Sequence, residues 1–381
     1  MISTTYIPRS ISPRILESAS FFPVIVITGP RQTGKTTLAK HLFPQHKYYN
    51  LESPLTRQAV ESDPAAFIME GEKLMIIDEI QRLPQLFSYI QVCVDEDPSR
   101  RFVITGSSDF QLMEKITQSL AGRAALFTLL PFSFKETQEY VDSEPTDPLL
   151  WRGLYPGVIV NGISPDLFYS NYYSTYVERD ARQISTIENL DLFRLFIRVL
   201  AGRTATEFNA NSLSSEIGVS GPTIRKWLGI LKTSYIAFTL TPFHFNIEKR
   251  LTKTPKVYFY DTGLLCNLLG IYEASQLQTH PARGAVFENM AIVEKLKEKF
   301  NTQGHFDLYF YRERNGREVD LLLATPSAID IYEIKSSATF NKAFASNLKH
   351  LKGLLGDRVK EARVVYDGPD IPPLALNIRR L

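Results

Sequence analysis

The chain has 381 residues, of which 44% are apolar and 22% charged, a composition typical of soluble globular proteins of two or three domains. Its formal net charge of +2 is too small to indicate a nucleic-acid binder, so any basic surface must be local. It contains no apolar run of about 18 residues and no N-terminal signal-peptide block, so we expect no membrane partner, no export and a cytoplasmic location.

A phosphate-binding motif follows the first predicted strand. Residues 1–20 read as a lead-in segment, since Pro8 and Pro13 disfavour a long helix. The apolar run at residues 24–27 predicts a buried parallel strand, and residues 29–36 (GPRQTGKT) match the P-loop pattern at every fixed position. A chance glycine-rich turn is the alternative, and the strand-to-helix setting of the full motif disfavours it.

The motif predicts a site for ATP or ADP with Mg²⁺. Two glycines let the loop turn its N–H groups toward the phosphates, and the helix that starts near Lys35 adds the positive end of its dipole. Lys35 is predicted to reach the β- and γ-phosphates, and the Thr36 hydroxyl to bind Mg²⁺. The residues predicted to bind nucleotide are Gly29, Pro30, Arg31, Gln32, Thr33, Gly34, Lys35, Thr36 and Thr37.

A carboxylate pair ends a later predicted strand. After a predicted strand and turn at residues 47–53, residues 74–77 form an apolar run, and Asp78 and Glu79 follow it directly. Ligands of open parallel sheets bind beyond the carboxyl ends of the strands. We therefore predict that Asp78 holds Mg²⁺ through water and that Glu79 polarises the attacking water. A solvated strand end is the alternative.

Two further features are predicted to act in ATP hydrolysis. The apolar strand at residues 101–105 ends in hydroxyl residues, and Thr105 or Ser107 is predicted to contact the γ-phosphate or the water; hydroxyls that only satisfy a turn are the alternative. Arg123 is predicted to act as an arginine finger into the nucleotide of a neighbouring copy, or is an ordinary surface arginine. A finger in trans would require a homo-oligomer.

The middle of the chain is predicted to form two successive units, a helical one and a winged helix-turn-helix. Aromatic residues at helical spacing up to residue 203 predict core, and we interpret this span as a helical lid. Residues 204–250 then predict a winged helix-turn-helix, with helices at 213–217 and 222–231, Ser220 near the second N-cap and two strand-like runs. In a DNA-binding role the second helix would present Thr223, Arg225 and Lys226 to the major groove; protein contacts are the alternative.

A connecting segment follows. Its basic residues are predicted either to touch phosphates or to form a solvated face, and they are Lys249, Arg250, Lys253 and Lys256. The two cysteines, Cys93 and Cys266, lie far apart without zinc-site spacing, which predicts buried structural thiols.

The last hundred residues predict a second α/β unit. A helix at residues 283–300 is followed by a hairpin around the Asn-Gly pair at 315–316, a strand at 328–335, a helix at 340–355 and a strand at 362–366. Asp320 lies among apolar strand residues, and Glu333 and Lys335 share a face because strand side chains alternate.

These side chains predict a metal site. Asp320, Glu333 and Glu288 of the preceding helix are predicted to hold a divalent metal, and Lys335 to steady a nucleophilic water or a phosphate charge. That arrangement suits phosphodiester hydrolysis. An ion-pair face with a solvated aspartate is the alternative.

The chain resembles a widespread prokaryotic family of AAA-type ATPases whose C-terminal half is an uncharacterised, restriction-endonuclease-like domain of the PD-(D/E)XK type. The resemblance covers nearly the whole length and rests on GPRQTGKTTL, LMIIDEIQRLP, ITGSS, LAGRAALFTLLPFSF, YVERD, KTPKVYFYDTGLL, FEN, VDLLL and YEIKSS. The acidic and lysine positions of that family match Asp320, Glu333, Lys335 and Glu288, although a valine precedes Asp320 where the PD-(D/E)XK name has proline.

The expected fold is α/β: a P-loop NTPase parallel sheet with a helical lid, a winged helix-turn-helix and a restriction-endonuclease-like α/β domain. The expected boundaries are 1–145 for the ATPase core, 146–203 for the lid, 204–250 for the winged helix, 251–280 for the connecting segment and 281–381 for the C-terminal domain. The expected function is Mg²⁺-dependent ATP hydrolysis coupled to a nuclease-like domain acting on DNA, in defence or genome maintenance. The alternatives are a nucleotide-switched binding protein with an inactive nuclease-like domain and a DNA-binding regulator.

Overall fold

The computed structural model describes residues 6–106, 119–141, 144–177, 187, 189–244, 254–313 and 315–381. The N-terminal part is built on a five-stranded parallel sheet in the order β2-β3-β4-β1-β5. Its strands are β1 (Val24–Thr28), β2 (Lys47–Asn50), β3 (Leu74–Asp78), β4 (Arg101–Thr105) and β5 (Ala124–Thr128). The helices around it are α1 (Ser12–Ala19), α2 (Lys35–Leu42), α3 (Pro54–Ser62), α4 (Pro64–Met69) and α5 (Leu86–Glu96).

Strand β1 is buried on both faces, as the apolar run in the sequence predicts. Val24 and Val26 enter one core together with α4 and α5, whereas Ile25 and Ile27 enter the other with α1 and α2. The parallel register aligns Ile27 with Thr105, and Asn50 with Asp78. The carboxyl ends of four strands therefore meet where the P-loop leaves β1.

The middle of the chain is helical and forms part of the largest core. Its helices are α6 (Gln138–Val141), α7 (Thr146–Arg152), α8 (Pro156–Ile159), α9 (Pro165–Tyr172) and α10 (Leu190–Ala201), with a π-helical turn at Tyr173–Val177. The aromatic positions predicted as core are buried at Tyr169, Tyr172, Phe193 and Phe196. Residues 178–186, which include part of the YVERD segment, lie outside the described residues.

Two helices at a tight turn follow, α11 (Ala210–Ile217) and α12 (Gly221–Thr233). Gly218 ends α11 with φ 80°, and the Ser220 hydroxyl caps α12 by accepting the Thr223 N–H at 3.2 Å. The two predicted helices and the tight turn between them are confirmed, and the winged helix-turn-helix stays a prediction. Of the two strands expected after these helices, the described residues 234–244 form one, β6 (Ala237–Pro242), and residues 245–250 lie outside the described residues. The antiparallel partner of β6 is β7 (Lys256–Phe259).

The second sheet has seven strands in the order β12-β11-β10-β9-β8-β6-β7. Its further strands are β8 (Asp307–Arg312), β9 (Glu318–Ala324), β10 (Ile329–Lys335), β11 (Val359–Tyr366) and β12 (Ala375–Asn377). The accompanying helices are α13 (Thr262–Leu268), α14 (Ala274–Leu277), α15 (Arg283–Thr302) and α16 (Ser346–Leu355). The predicted hairpin is confirmed, with Gly316 at φ 89° and β8 antiparallel to β9.

Three features of this sheet differ from the predicted pattern. Helix α16 starts at Ser346 because a 3₁₀ turn at Lys342–Ala345, capped by Asn341, precedes it. Strand β12 was not predicted. Strand β6 pairs in parallel with β8 through Thr241 and Pro242, so one sheet runs across the expected boundaries at residues 250 and 280.

Helix α15 connects the two halves of the molecule. Glu294 accepts the Phe134 N–H at 2.8 Å, and the Lys297 ammonium donates to the Phe132 carbonyl at 2.7 Å. Glu294 and Lys297 are buried and also pair with each other at 2.7 Å. The helix that begins the C-terminal unit is therefore attached to the segment that follows β5.

Cys93 and Cys266 are both buried and free, as predicted. Across the described part of the chain, no helix combines the length and apolarity needed to cross a membrane.

Candidate nucleotide site and acidic cluster

The P-loop backbone depends on glycine at both ends. Gly29 has φ 137°, and a Cβ there would lie 2.2 Å from the Leu129 carbonyl oxygen. Gly34 has φ 90° and immediately precedes α2. The non-glycine Gln32 also has positive φ, at 60°. Positive φ at three positions therefore turns the chain sharply between β1 and the N-terminus of α2.

Lys35 folds back over the loop that precedes it. Its Nζ donates to the carbonyl oxygens of Gly29 at 3.0 Å and Pro30 at 2.6 Å, and the side chain is buried. Burial lowers the pKa of Lys35 to about 8, although the nearby carboxylates of Glu79 and Asp78 oppose this shift. The lysine therefore lies within the loop, with its ammonium on oxygen acceptors.

Asp78 accepts three hydroxyl groups at the end of β3. Thr36 and Tyr48 donate to its Oδ2, each at 2.8 Å, and Thr105 donates to its Oδ1. The hydroxyl of Thr36 and the carboxylate of Asp78 are hard oxygen ligands in contact with each other, which fits the chemistry of Mg²⁺. Burial, with the hydrogen bond to Asp78 second, raises the pKa of Tyr48 above its ordinary value.

Glu79 has a left-handed backbone, with φ 58° and ψ 45°. This conformation costs on the order of 1 kcal/mol for a residue with a side chain. The Gln81 amide donates to the Glu79 carboxylate from the 3₁₀ turn Ile80–Arg82. The hydrogen bond from Gln81 therefore holds the Glu79 carboxylate beside the turn that follows β3.

The remaining predicted catalytic residues differ in their positions. Thr105 is fully buried and contacts Asp78, whereas Ser107 lies outside the described residues. Arg123 forms a two-bond ion pair with Asp95 on the surface, at 2.6 and 2.7 Å. Its carbonyl accepts the Val24 N–H, so Arg123 lies at the amino end of β1, opposite the P-loop of its own chain.

A cavity of about 260 Å³ adjoins the P-loop. It is bounded by the lead-in segment, the start of α2, the segment after β5 and the helical region, through Tyr6, Ile7, Gly34, Thr37, Phe132 and Val160. Tyr6 stacks on His41 at 3.7 Å between ring centroids. The mostly apolar walls next to a phosphate loop are suited to a flat base.

Arg9 joins this cavity to the loop, and the sequence pattern did not predict it. It is buried, donates to the carbonyl of Thr33 at 2.9 Å, and its guanidinium also bonds the carbonyl of Leu130 at 2.6 Å. Glu136 lies 3.3 Å from its Nε. The lead-in segment is therefore attached to the P-loop and to the end of β5 by one side chain.

In the C-terminal unit, Asp320, Glu333 and Lys335 come together as the sequence predicts. The Lys335 ammonium lies 2.7 Å from Glu333 and 3.5 Å from Asp320. Asp320 also accepts the Ile334 N–H at 2.7 Å. Both carboxylates are buried, and Glu333 Oε2 has no hydrogen-bond partner. An unpaired buried carboxylate oxygen fits a cation ligand.

Glu288 is near this group but is bound to other residues. Its Oε1 accepts from Lys256 at 3.1 Å and from the Tyr258 hydroxyl at 2.6 Å. Lys256 is 2% exposed and also pairs with Glu318. The prediction that Lys256 touches phosphates or forms a solvated face is wrong for this residue, because its ammonium is enclosed by carboxylates. Lys249, Arg250 and Lys253 lie outside the described residues.

Burial and neighbouring charges shift the pKa values of the side chains in this cluster. Burial, with the charge of Asp320 second, raises the pKa of both Glu288 and Glu333 to about 7. Burial lowers the pKa of Lys335, but Asp320 and Glu333 outweigh it and raise that pKa above its ordinary value. Within the described residues, no group of three or more His, Cys, Asp or Glu side chains is arranged to hold a metal ion. The three-carboxylate metal site stays a prediction.

On the helix-turn-helix, Arg225 and Lys226 are exposed on α12, whereas the Thr223 hydroxyl is 2.7 Å from Ser220 at the cap. Their role in DNA binding stays a prediction.

Three regions of the chain match known families. Residues 22–138 match the family described as AAA domain. Residues 144–275 and 283–380 match two families described as domains of unknown function, DUF8612 and DUF4143. The start of the DUF4143 match coincides with the first residue of α15.

Relatives span most of the chain. The uncharacterized protein Rv2008c of Mycobacterium tuberculosis is 30% identical over 373 residues, which cover 96% of this chain and 81% of the relative. The uncharacterized protein MJ1544 of Methanocaldococcus jannaschii is 23% identical, covering 78% of this chain and 71% of the relative. Among solved structures, the Walker-type ATPase PABY2304 of Pyrococcus abyssi has a TM-score of 0.49 and 15% identity, covering 69% of this chain and 96% of that one.

The AAA match spans the parallel sheet and both of the motifs around Lys35 and Asp78. The N-terminal unit is an AAA-type P-loop ATPase domain, and the chain belongs to the family of the uncharacterized mycobacterial protein Rv2008c.

Proposed function

We propose that this chain binds ATP with Mg²⁺ and hydrolyses it. The observation that carries the proposal is the convergence of Lys35, Thr36 and Asp78 at the carboxyl end of the parallel sheet, with Glu79 directly after Asp78. The base would enter the cavity beside Tyr6, and the phosphates would lie against the N-terminus of α2.

Each residue of the nucleotide site has a separate role in ATP hydrolysis. The Lys35 ammonium exchanges its contacts with the Gly29 and Pro30 carbonyls for phosphate oxygens. Thr36 and Asp78 would hold Mg²⁺, which neutralises charge on the phosphates when bound. Glu79 accepts a proton from, or orients, the water that attacks the γ-phosphate. Thr105 keeps the Asp78 carboxylate in its orientation.

Nucleotide binding is the simplest test of this assignment. Titration of the full chain with a fluorescent ATP analogue in Mg²⁺ should give saturable binding, and Lys35→Ala should abolish it together with turnover. Lys73→Ala is the matched control, since Lys73 is exposed and immediately precedes β3, at the end of the sheet away from the P-loop. Full turnover by the Lys35→Ala protein would refute the assignment.

For the C-terminal unit, we infer metal-dependent action on DNA by a nuclease-like site. The supporting observation is the contact of Lys335 with Glu333 and Asp320, together with the unpaired Glu333 Oε2. Asp320 and Glu333 would hold the cation, and Lys335 would face the phosphate. Cleavage of DNA in Mg²⁺ or Mn²⁺ that disappears in Asp320→Asn and Glu333→Gln supports this activity, and cleavage that survives both changes rejects the site.

A nucleotide-switched binding protein is the second candidate. It is favoured by the two lysines within the carboxylate cluster, which neutralise part of the charge that a metal would need. DNA binding through Arg225 and Lys226 that depends on ATP, with no cleavage in either metal, supports this second function. Salt should weaken such binding strongly.

Assembly of several copies is part of the proposal for Arg123. Because Arg123 lies at the sheet edge opposite its own P-loop, it can reach a nucleotide only in a neighbouring copy. A chain that remains monomeric by light scattering with ATP bound would exclude Arg123 as a finger.

A further inference from the structure

Lys256 is a buried lysine of the acidic cluster to which the proposed reaction assigns no role. It begins strand β7, the partner of β6 after the helix-turn-helix, and its side chain is 3% exposed. Its ammonium contacts Glu288 of α15 at 3.1 Å and Glu318 of β9. One lysine thus joins three separate elements at the edge of the acidic cluster.

Two donors of β7 bind the same carboxylate oxygen of Glu288. Glu288 Oε1 accepts from both Lys256 and the Tyr258 hydroxyl, two residues along the same strand. Lys256 and Tyr258 point to the same face of β7 because strand side chains alternate. The strand therefore supplies two donors to one carboxylate, which fixes its orientation.

Lys335, the second lysine of the cluster, is more exposed than Lys256 and binds other carboxylates. Lys335 is 34% exposed on its side chain, and its contacts are with Asp320 and Glu333. Glu333 retains an unpaired oxygen, Oε2. Named by the ammonium that they contact, the carboxylates form an inner pair, Glu288 and Glu318, on the buried Lys256 and an outer pair, Asp320 and Glu333, on the partly exposed Lys335. The side chains of the outer pair are themselves the more buried, at 9% and 6% exposed against 16% and 24% for the inner pair.

We propose that Lys256 is a built-in cation that holds Glu288 and Glu318 and keeps both out of the ligand set of any divalent cation at the cluster. Asp320 and Glu333 then remain as its carboxylate ligands. Lys256 is a positioning residue, because it acts through the carboxylates it binds. The inference rests on the proposed metal site only for the role of the outer pair.

Manganese titration calorimetry on the full chain tests this division, with Asp78→Asn in every variant to remove the metal site at the P-loop. Glu288→Gln should keep the Mn²⁺ dissociation constant within about threefold, whereas Asp320→Asn should raise it at least about tenfold. Lys256→Met should gain a Mn²⁺ site or bind at least about tenfold tighter, since the inner carboxylates lose their cation. Adding Glu288→Gln to Lys256→Met should remove that gain.

Two outcomes overturn the inference. One is a loss of Mn²⁺ binding in Glu288→Gln as large as that in Asp320→Asn, which would make Glu288 a ligand. The other is a Lys256→Met protein whose Mn²⁺ binding equals that of the parent. A parent chain that binds no Mn²⁺ rejects the outer metal site of the proposed function, and the gain in Lys256→Met then still tests Lys256.

Urea denaturation keeps the inference testable if Lys256→Met folds poorly. The change should lower the urea midpoint, and Lys256→Met with Glu288→Gln should recover at least half of the loss, because the second change removes an unpaired buried charge. Lys360→Met, at an exposed lysine of the same sheet, is the matched control and should leave the midpoint unchanged. Additive effects of the two changes would contradict the pairing.

Discussion

Asp78 accepts hydroxyl groups from three different elements, which are Thr36 of α2, Tyr48 of β2 and Thr105 of β4. Thr36 belongs to the P-loop motif, and Thr105 ends an apolar strand, so both carry a local pattern. Tyr48 lies in a short strand whose sequence, KYYN, does not distinguish one tyrosine from the other. Its contact with Asp78 depends on the parallel register that sets Asn50 opposite Asp78, which is a property of the sheet.

Replacing Tyr48 with phenylalanine tests this contact. The Asp78 carboxylate loses a charge-assisted donor, so we expect kcat/KM for Mg²⁺-ATP to fall about tenfold, which is the usual size of such a bond. Steady-state phosphate release measures the effect. Tyr49→Phe is the control, because Tyr49 packs edge-on against Phe67 instead; an equal loss in both variants would contradict the role given to Tyr48.

The pKa of Lys35 predicts a pH dependence for nucleotide binding. With that pKa lowered to about 8 by burial, the lysine is charged at pH 7 and loses its proton as the pH rises above 8. Phosphates bind the ammonium and not the amine, so ATP affinity should be constant below pH 8 and fall by up to about tenfold per pH unit above it. Fluorescent nucleotide titrations between pH 7 and 9.5 measure this change. A pH-independent affinity over that range would contradict it.

At the scale of elements, the local pattern of apolar residues predicted most individual strands, but it did not predict which strands pair with each other. The strands at Val24–Thr28, Leu74–Asp78 and Arg101–Thr105 each contain an uninterrupted apolar run of three or four residues, so they were predictable. Strand Ala375–Asn377 has three residues, too few for an alternating pattern. The pairing of β6 with β8 joins residues far apart in the chain, and no local signal indicates it.

The acidic cluster illustrates the same limit for a site. Glu333 and Lys335 were predicted to share a face because they lie two apart on a strand. The contact of Lys256 with Glu288 was not predicted, since it joins the first residue of one strand to a helix across 32 positions. The sequence therefore indicated Glu288 but neither Glu318 nor the pairing of Lys256 with both carboxylates.

Helix α15 gives an element-scale prediction of stability. Lys297→Met removes the ammonium that pairs with buried Glu294 and leaves that carboxylate uncompensated, so unfolding free energy should fall by about 3 kcal/mol. Chemical denaturation measures the change. Lys299→Met is the matched control on the same helix, because the Lys299–Asp307 pair is exposed and its loss should cost less than about 1 kcal/mol. Equal effects in the two variants would contradict the structural role of the buried pair.

At the scale of the whole molecule, the two halves share one apolar core, and a short series of polar contacts links the P-loop to the C-terminal unit across it. Arg9 binds the P-loop carbonyl of Thr33 and lies 4.6 Å above the ring of Phe132. The Phe132 carbonyl accepts Lys297 of α15, and the same helix carries Glu288 into the acidic cluster. A shift of the P-loop on binding nucleotide therefore has a contiguous physical route to the C-terminal unit.

We propose that Glu79 is the catalytic carboxylate of ATP hydrolysis in this molecule. The most direct test is Mg²⁺-dependent phosphate release by the purified full chain and by its Glu79→Gln variant, with Glu96→Gln on α5 as an exposed control. We predict that the variant binds ATP as the parent does but turns over at least about 100-fold more slowly, as expected for loss of a general base. Undiminished phosphate release by Glu79→Gln, or none by the parent chain, would contradict it.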